Sequence, residues 1–475
     1  MIMNYECPNL ANKTPDGVTF SNFFVFVFFL NLTCDCWIFE FDKRKMIIML
    51  KKFYILHHFI LPLLLLPLLS NYSDAVNHDT CTSRNDWSIV EKNKYLPEFN
   101  IEDDLYRKWS KIFDTIQLAY QNYSESFANK NDATSCDLFI PLINSDLRYF
   151  EENFGSNFIT KEFIDKMIAA KHGVHYQIVG KRLYRQSDCM FPSRCQGIEH
   201  FILEIIDQLP DMDLIINVRD YPQVGRYFPK EQQFPVLSFS KEVSSYADII
   251  YPAWTFWSGG PALDIYPNGI GRWDLMREKL LKIQCKLSWN KKKNVAFFRG
   301  SRTSSQRDPI VMLSRSRPDL VDAKYTKNQA WKSKADTLGD DPAKTVSFED
   351  HCEYKYLFNV HGVAASFRYK HLFLCRSLVL NVESEWIEFF YPLLKPWIHY
   401  IPIDKNFENV IELLEFLNEN QLLASRIAKR GFEFIRDQLT MKTIRCYWQQ
   451  LLTLYSDRLI SYRPLKPNSS LIEIH

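Results

Sequence analysis

Glycine is scarce in this 475-residue chain, with 14 residues or about 3%, against an average near 7%. That scarcity excludes collagen-like, low-complexity and glycine-rich disordered classes. A surplus of one charge is also missing: 58 basic side chains face 56 acidic ones, for a formal net charge of +2. Such a balance disfavours a dedicated nucleic-acid binder or polyanion carrier. There is no CxxC pair and no histidine pair at zinc-finger spacing, so a zinc site is the weakest use of the 11 cysteines. Walker A and GxGxxG patterns are absent, and beyond residue 69 no apolar run approaches the roughly 20 residues of a membrane crossing.

What is present is a compact, aromatic-rich composition, 46% hydrophobic and 15% aromatic. At roughly 150 residues per domain, three domains are a ceiling, and two larger ones plus a leader fit equally well. Lys51 and Lys52 precede an apolar run over residues 53–69 and a polar stretch after Ser70, so residues 46–76 read as a secretory signal peptide. Pro62 and Pro67 weaken a spanning helix; a signal anchor is the rival reading. Residues 1–45 read as an upstream extension, because Met46 or Met49 is the more natural start. The expectation is a lumenal chain without a membrane span once the leader is removed. Eight cysteines then remain, and an oxidising lumen favours disulfides, although spacing alone does not choose among the pairings. The short proline-containing loop between Cys189 and Cys195 suggests one bridge. Sequons at Asn71, Asn122 and Asn468 are compatible with glycosylation.

Helix-like and strand-like segments alternate along the chain. Residues 199–209 are amphipathic and lead through Pro210 into the apolar run 214–218, which reads as a buried strand. Further strands are expected at 236–240, 248–251, 294–298, 356–360, 378–382 and 397–403. Helices are expected at 86–124, 273–283, 309–315, 367–375, 410–418 and 422–438. The pattern predicts an α/β architecture with parallel sheets.

In such sheets ligands bind beyond the carboxyl ends of strands. One expected end delivers Asn217-Val218-Arg219-Asp220, where Asp220 is a candidate general base or a turn cap. A second runs from Phe298 through Arg299, Gly300, Ser301 and Arg302 to Arg307, with Asp308 as the expected N-cap and Pro309 opening a helix. The third passes from Val360 through His361 and Gly362 to Ser366, another expected N-cap, and then Phe367 and Arg368. Small residues and arginines at two helix mouths suggest a diphosphate site, with a solvated basic loop as the bland alternative. The Asp211-Met212-Asp213 triplet has the spacing of a metal-binding DxD but precedes its strand, which makes it a connecting loop. The aromatic stretch from Tyr251 to Trp257 could stack a sugar or a peptide, though such residues are more often core.

These blocks carry a resemblance. From about His172 to Leu454, the stretches 188–195, 217–224, 251–257, 298–304, 325–332 and 362–375 follow in order as in the Rumi-like protein O-glucosyltransferases of glycosyltransferase family 90. The resemblance implies a GT-B fold, two Rossmann-like domains facing a cleft: 77–260 on the acceptor side, 261–440 for the nucleotide sugar, and 441–475 a helix and tail. It implies an inverting, metal-independent transfer of glucose from UDP-glucose to serine in folded EGF-like repeats, within Cys-x-Ser-x-Pro/Ala-Cys, of Notch-type receptors. No cofactor beyond the donor is implied. Asp220 would be the base, and Ser301, Arg307, Val363, Ala364, Ala365, Ser366, Phe367 and Arg368 would hold UDP. Met190, Phe191, Pro192, Ser193 and Arg194 would contact the acceptor, as would Ala262, Leu263, Asp264, Ile265, Tyr266 and Pro267. The implied disulfides are Cys189–Cys195, Cys352–Cys375 and Cys136–Cys446. Endoplasmic-reticulum residence is implied too, although Leu471-Ile472-Glu473-Ile474-His475 carries no Lys-Asp-Glu-Leu-like signal. UDP-xylose as donor, other folded acceptor domains, and a non-catalytic binder of cysteine-rich repeats are the alternatives.

Overall fold

The computed structural model describes residues 103–128, 137–260, 265–266, 270–284 and 286–475. The extension, the signal segment, Asn71 and the cysteines at 81, 136 and 285 lie outside the described residues. The first part of the chain runs α1 (Asp103–Ala128), α2 (Ile140–Phe154), α3 (Lys161–Ala170), β1 (Val174–Val179), β2 (Arg182–Gln186), α4 (Pro192–Ile205), β3 (Met212–Ile216), β4 (Leu237–Ser238), β5 (Lys241–Glu242) and β6 (Ile249–Ile250). Then come α5 (Trp273–Gln284), β7 (Lys293–Gly300), α6 (Asp308–Ser316), β8 (Val321–Tyr325), α7 (Phe348–His351), β9 (Tyr354–Asn359), α8 (Tyr369–Leu374), β10 (Leu378–Val382), β11 (Trp386–Ile387) and β12 (Ile401–Ile403). The chain closes with α9 (Val410–Glu419), α10 (Gln421–Gln438), α11 (Met441–Leu459) and β13 (Leu471–Ile474).

Two main sheets organise these elements. One has the order β12-β10-β9-β7-β8 and is parallel throughout. Its strands are covered on both faces, which is why Leu378, Val379 and Leu380 are all fully buried. The other has the order β13-β2-β1-β3-β4-β6. Its β3, β4 and β6 are parallel, as expected, but β13, β2, β1 and β3 pair antiparallel. The antiparallel half departs from the expected all-parallel arrangement. Gly180 and Lys181 both take positive φ and turn β1 into β2, the backbone that a tight hairpin needs. β1 escapes the hydrophobic pattern because His175 and Gln177 point inward. Both bond Asp213 of β3, at 2.6 Å and 3.0 Å, and the Tyr462 hydroxyl donates to the same carboxylate at 2.6 Å.

The first and last described helices are laced onto the two sheets. In α1, Trp109 and Phe113 meet Phe416 of α9 edge-on, while Trp109 and Lys108 both donate to Glu419. In α11, Tyr447 donates to the Ile250 carbonyl, Tyr455 to the Pro235 carbonyl, and Trp448 lies against Tyr251. α1 therefore packs with the helices of the parallel sheet, and α11 and β13 complete the mixed one. Among the described residues no helix is long and apolar enough to cross a membrane.

Candidate active site

β3 ends at Ile216, two residues earlier than the hydrophobic run, so residues 217–220 form the loop beyond its carboxyl end. Asn217 fixes that loop: its amide donates to the Tyr221 carbonyl and to Ser238 Oγ, and its Oδ1 accepts from the Arg219 backbone. The Asp220 carboxylate then meets Arg194, whose Nη2 donates to Oδ1 at 2.9 Å while Nη1 holds the Val218 carbonyl at 2.6 Å. The guanidinium is stacked over Phe191 at 4.1 Å and Trp254 at 4.5 Å. Asp220 thus keeps one oxygen fixed, and its side chain remains 46% exposed to the cleft. Cys189 and Cys195 are bridged and clamp the loop that carries Phe191 and Arg194.

Opposite, β7 delivers the arginine-rich turn. Arg299 pairs with Asp322 at 2.7 Å and Arg302 with Asp308 at 2.6 Å, so two of its cations are neutralised. Asp308 is not the N-cap: it lies inside the first turn of α6, with Arg307 at the cap. Its carboxylate instead accepts from Arg302 and from the Tyr325 hydroxyl. Ser366 is not a cap either, because α8 opens at Tyr369 with Arg368 at the cap position.

Arg307 and Arg368 differ from their neighbours in having no carboxylate partner among the described residues. Arg307 donates Nε to the His361 carbonyl, Nη1 to Ser301 and Nη2 to Val360. Arg368 donates Nη1 to the Arg299 carbonyl and lies over the Phe298 ring at 4.7 Å. Burial pulls the Arg307 pKa down to about 9, with the Arg368 charge adding to it, and burial pulls Arg368 down to about 10. Two desolvated, uncompensated cations are costly, and an anion between them offsets that cost. Gly362 leaves room for Thr303 and Arg307, since a Cβ there would sit 2.7 Å from Thr303 Oγ1 and 3.0 Å from Arg307 Nη2. The backbone amides of Val363, Ala364, Ser366, Phe367 and Arg368 have no partner among the described residues, whereas that of Ala365 is held by Ser240 Oγ.

A cleft of about 580 Å³ lies between these walls. It brings together Asp220, Phe191, Arg194, Tyr266, Ser301, Arg307 and residues 363–368. Met190 (59% exposed) and Ile265 (41%) stand outside the lining, with Pro192 and Ser193 also exposed. Ala262, Leu263, Asp264 and Pro267 lie outside the described residues. Cys352 is bridged to Cys375 behind the second wall. Cys446 is also disulfide-bonded, and Cys136 lies outside the described residues. The DxD carboxylates serve structure at the amino end of β3: Asp211 accepts from the Gly180 amide, and Asp213 from His175, Gln177 and Tyr462.

The sequence pattern did not point to Phe239, Phe348 or His351, which line the cleft, while Thr326 and Asn328, also in the lining, fall in the 325–332 stretch without having been given a role. Only α7 left a signal. Ser347 accepts from the Asp350 amide and donates to its carboxylate, the Ser-x-x-acid spacing of a helix start.

The family model for glycosyl transferase family 90 matches residues 131–474. "Protein O-glucosyltransferase 1" of Mus musculus is 54% identical over 362 residues, 76% of this chain and 89% of its own length. The Homo sapiens protein of the same name is 54% identical over 356 residues, 75% and 87% of the two chains. "O-glucosyltransferase rumi" of Drosophila pseudoobscura pseudoobscura is 47% identical over 415 residues, 87% and 97%. A solved Anabaena structure in complex with UDP and glucose covers 38% of this chain and 52% of that chain, at TM-score 0.27 and 11% identity, too slight a likeness to bear on fold or ligand. A match running from before α2 into β13, with relatives near half identity over most of the chain, leaves one conclusion: the chain belongs to glycosyl transferase family 90.

Proposed function

We propose that this protein is an inverting protein O-glucosyltransferase that moves glucose from UDP-glucose to serine in folded EGF-like repeats of Notch-type proteins in the endoplasmic-reticulum lumen. One observation carries the reading: the buried guanidinium of Arg307 and the partly buried one of Arg368, neither with a carboxylate partner among the described residues, stand across one cleft from the half-exposed Asp220. The serine oxygen forms its bond to the anomeric carbon as the bond to the diphosphate oxygen breaks, and Asp220 takes the serine proton. The departing diphosphate gains charge, and Arg307, Arg368 and the amides of Val363, Ala364, Ser366, Phe367 and Arg368 meet it. Those donors perform the task that a divalent cation performs in other transferases, so the reaction needs no metal and no cofactor beyond the donor. Arg194 orients Asp220 by holding one oxygen, which leaves the other for the acceptor.

The two sheets suit a GT-B reading, with 77–260 on the acceptor side, 261–440 on the nucleotide side and the 441–475 segment reaching back. Acceptor contact by residues 190–194 and 262–267 belongs to the same reading, supported by the exposure of Met190, Pro192, Ser193 and Ile265 beside a cleft that Phe191, Arg194 and Tyr266 line. The names of the relatives support glucose and protein acceptors. The test is incubation with UDP-glucose, and separately UDP-xylose, over a folded repeat, followed by mass spectrometry. A hexose gain is expected; a gain with UDP-xylose alone overturns the sugar, and none with either overturns the enzyme. Asp220→Asn is expected to lose transfer by about 10²- to 10⁴-fold while keeping UDP affinity.

A further inference from the structure

We propose that His351 reads the transferred sugar, its Nε2 accepting a hydrogen bond from a sugar hydroxyl. The inference rests on the nucleotide-sugar reading of the cleft and adds to it a residue that the diphosphate chemistry does not require.

The ring belongs to α7 in the cleft wall, 5% exposed, edge-on to Phe297 at 5.0 Å and tilted against Phe348 at 5.7 Å. Its Nδ1 lies 2.6 Å from the Ser347 carbonyl. A carbonyl only accepts, so that partner assigns the proton to Nδ1 and makes Nε2 a bare acceptor. No described residue donates to it. His371, stacked on Phe348 at 4.3 Å, contrasts: its Nε2 is sealed in the core, while His351 borders the cleft. Burial, together with Arg368 and Arg299, holds His351 neutral, with its pKa pulled down to about 4.

An acceptor at this place is informative because its surroundings are donors. Arg307, Arg368 and the amides of Val363, Ala364, Ser366, Phe367 and Arg368 suit a diphosphate, which brings only acceptor oxygens. A diphosphate gains nothing from a lone pair. A sugar hydroxyl has a proton to give, and the sugar must follow the diphosphate along the cleft. Tyr266 offers only its ring there, since its hydroxyl donates to Glu349 at 3.1 Å and accepts from the Phe348 amide at 3.0 Å. Aromatic faces for the sugar's C–H groups and one acceptor for a hydroxyl form a wall suited to a hexose.

The test compares UDP with UDP-glucose and with donors in which each hydroxyl in turn is replaced by fluorine, which cannot donate. In the unmodified enzyme one such donor should lose about 10- to 100-fold in kcat/KM, the consequence of leaving a buried acceptor unpaired. In His351→Phe, UDP affinity should stay unchanged and kcat/KM for UDP-glucose should fall by that factor. The critical fluorinated donor should then show no further loss. His351→Gln keeps a donor for Ser347 and an acceptor beyond it, and serves if the Phe variant fails to bind UDP. Equal losses across the fluorinated series in variant and unmodified enzyme, or undiminished use of UDP-glucose by both variants, would overturn the assignment of His351 alone. No binding of UDP-glucose by the unmodified enzyme would instead bring down the donor reading, and this inference with it.

Discussion

The guanidinium of Arg368 occupies the space that a side chain on Gly300 would need. The last residue of β7 is thus bare so that a cation from the β9–α8 turn can lie against it and hold the Arg299 carbonyl. Gly300→Ala is expected to push Arg368 aside and weaken UDP binding about tenfold or more, as loss of a charge-assisted donor does. Arg368→Ala should match it. Because both act on one guanidinium, the double variant should be no worse than either single one by titration calorimetry, and additive losses would break the link.

Asp213 has the spacing of a metal ligand but the surroundings of a structural acid. Asp213→Ala removes the shared acceptor of His175, Gln177 and Tyr462. The expected cost is about 3 to 5 kcal/mol in chemical unfolding, from stranded buried donors. The folded fraction should keep its turnover, with no response to chelator or added manganese. A metal-dependent rate in the unmodified enzyme would contradict both this assignment and the metal-independent mechanism.

Buried histidines make the fold acid-sensitive. Burial holds His351 down to about 4 and His399 down to about 3, and His399 Nδ1 accepts the Lys395 amide, so protonation there breaks a bond. Both folded values lie below the unfolded value of 6.5. The folded chain therefore binds fewer protons in that window. Its stability is whole above pH 6.5 and drains as the pH falls toward the folded values. Between pH 6.5 and 5 each group removes about 2 kcal/mol. His399→Phe keeps a ring beside Phe434 and should flatten the pH slope of unfolding by about that amount. An unchanged slope would mean that His399 is not the titrating group.

The parallel sheet was legible because its strands are buried on both faces and so spell short apolar runs; 378–382 coincides with β10. The hairpin of β1 and β2 was not legible, because His175 and Gln177 are inward-facing polar residues whose partners, Asp213 and Tyr462, are distant in sequence. The site shows the same division. Asp220 and Ser301 stand just beyond strand ends and Arg368 at the mouth of α8, where a sequence reader looks first. His351 lies on a four-residue helix, and only packing against Phe297 and Phe348 brings its ring to the cleft wall. Capping residues misled for a related reason: Asp308 found a better partner in Arg302 than in the helix amides.

The lacing of the chain sets an order on its manufacture. β2 keeps a bare edge until Leu471–Ile474 arrives, although β1, β2 and β3 are synthesised long before. The parallel sheet, whose strands all lie between residues 293 and 403, can assemble first. A ribosome that stalls before β13 therefore leaves an unpaired strand edge and the uncovered bed of α11, the features that invite chaperones and aggregation. For this enzyme, completing the sheet that precedes Asp220 is in effect a test of whether β13 has been made.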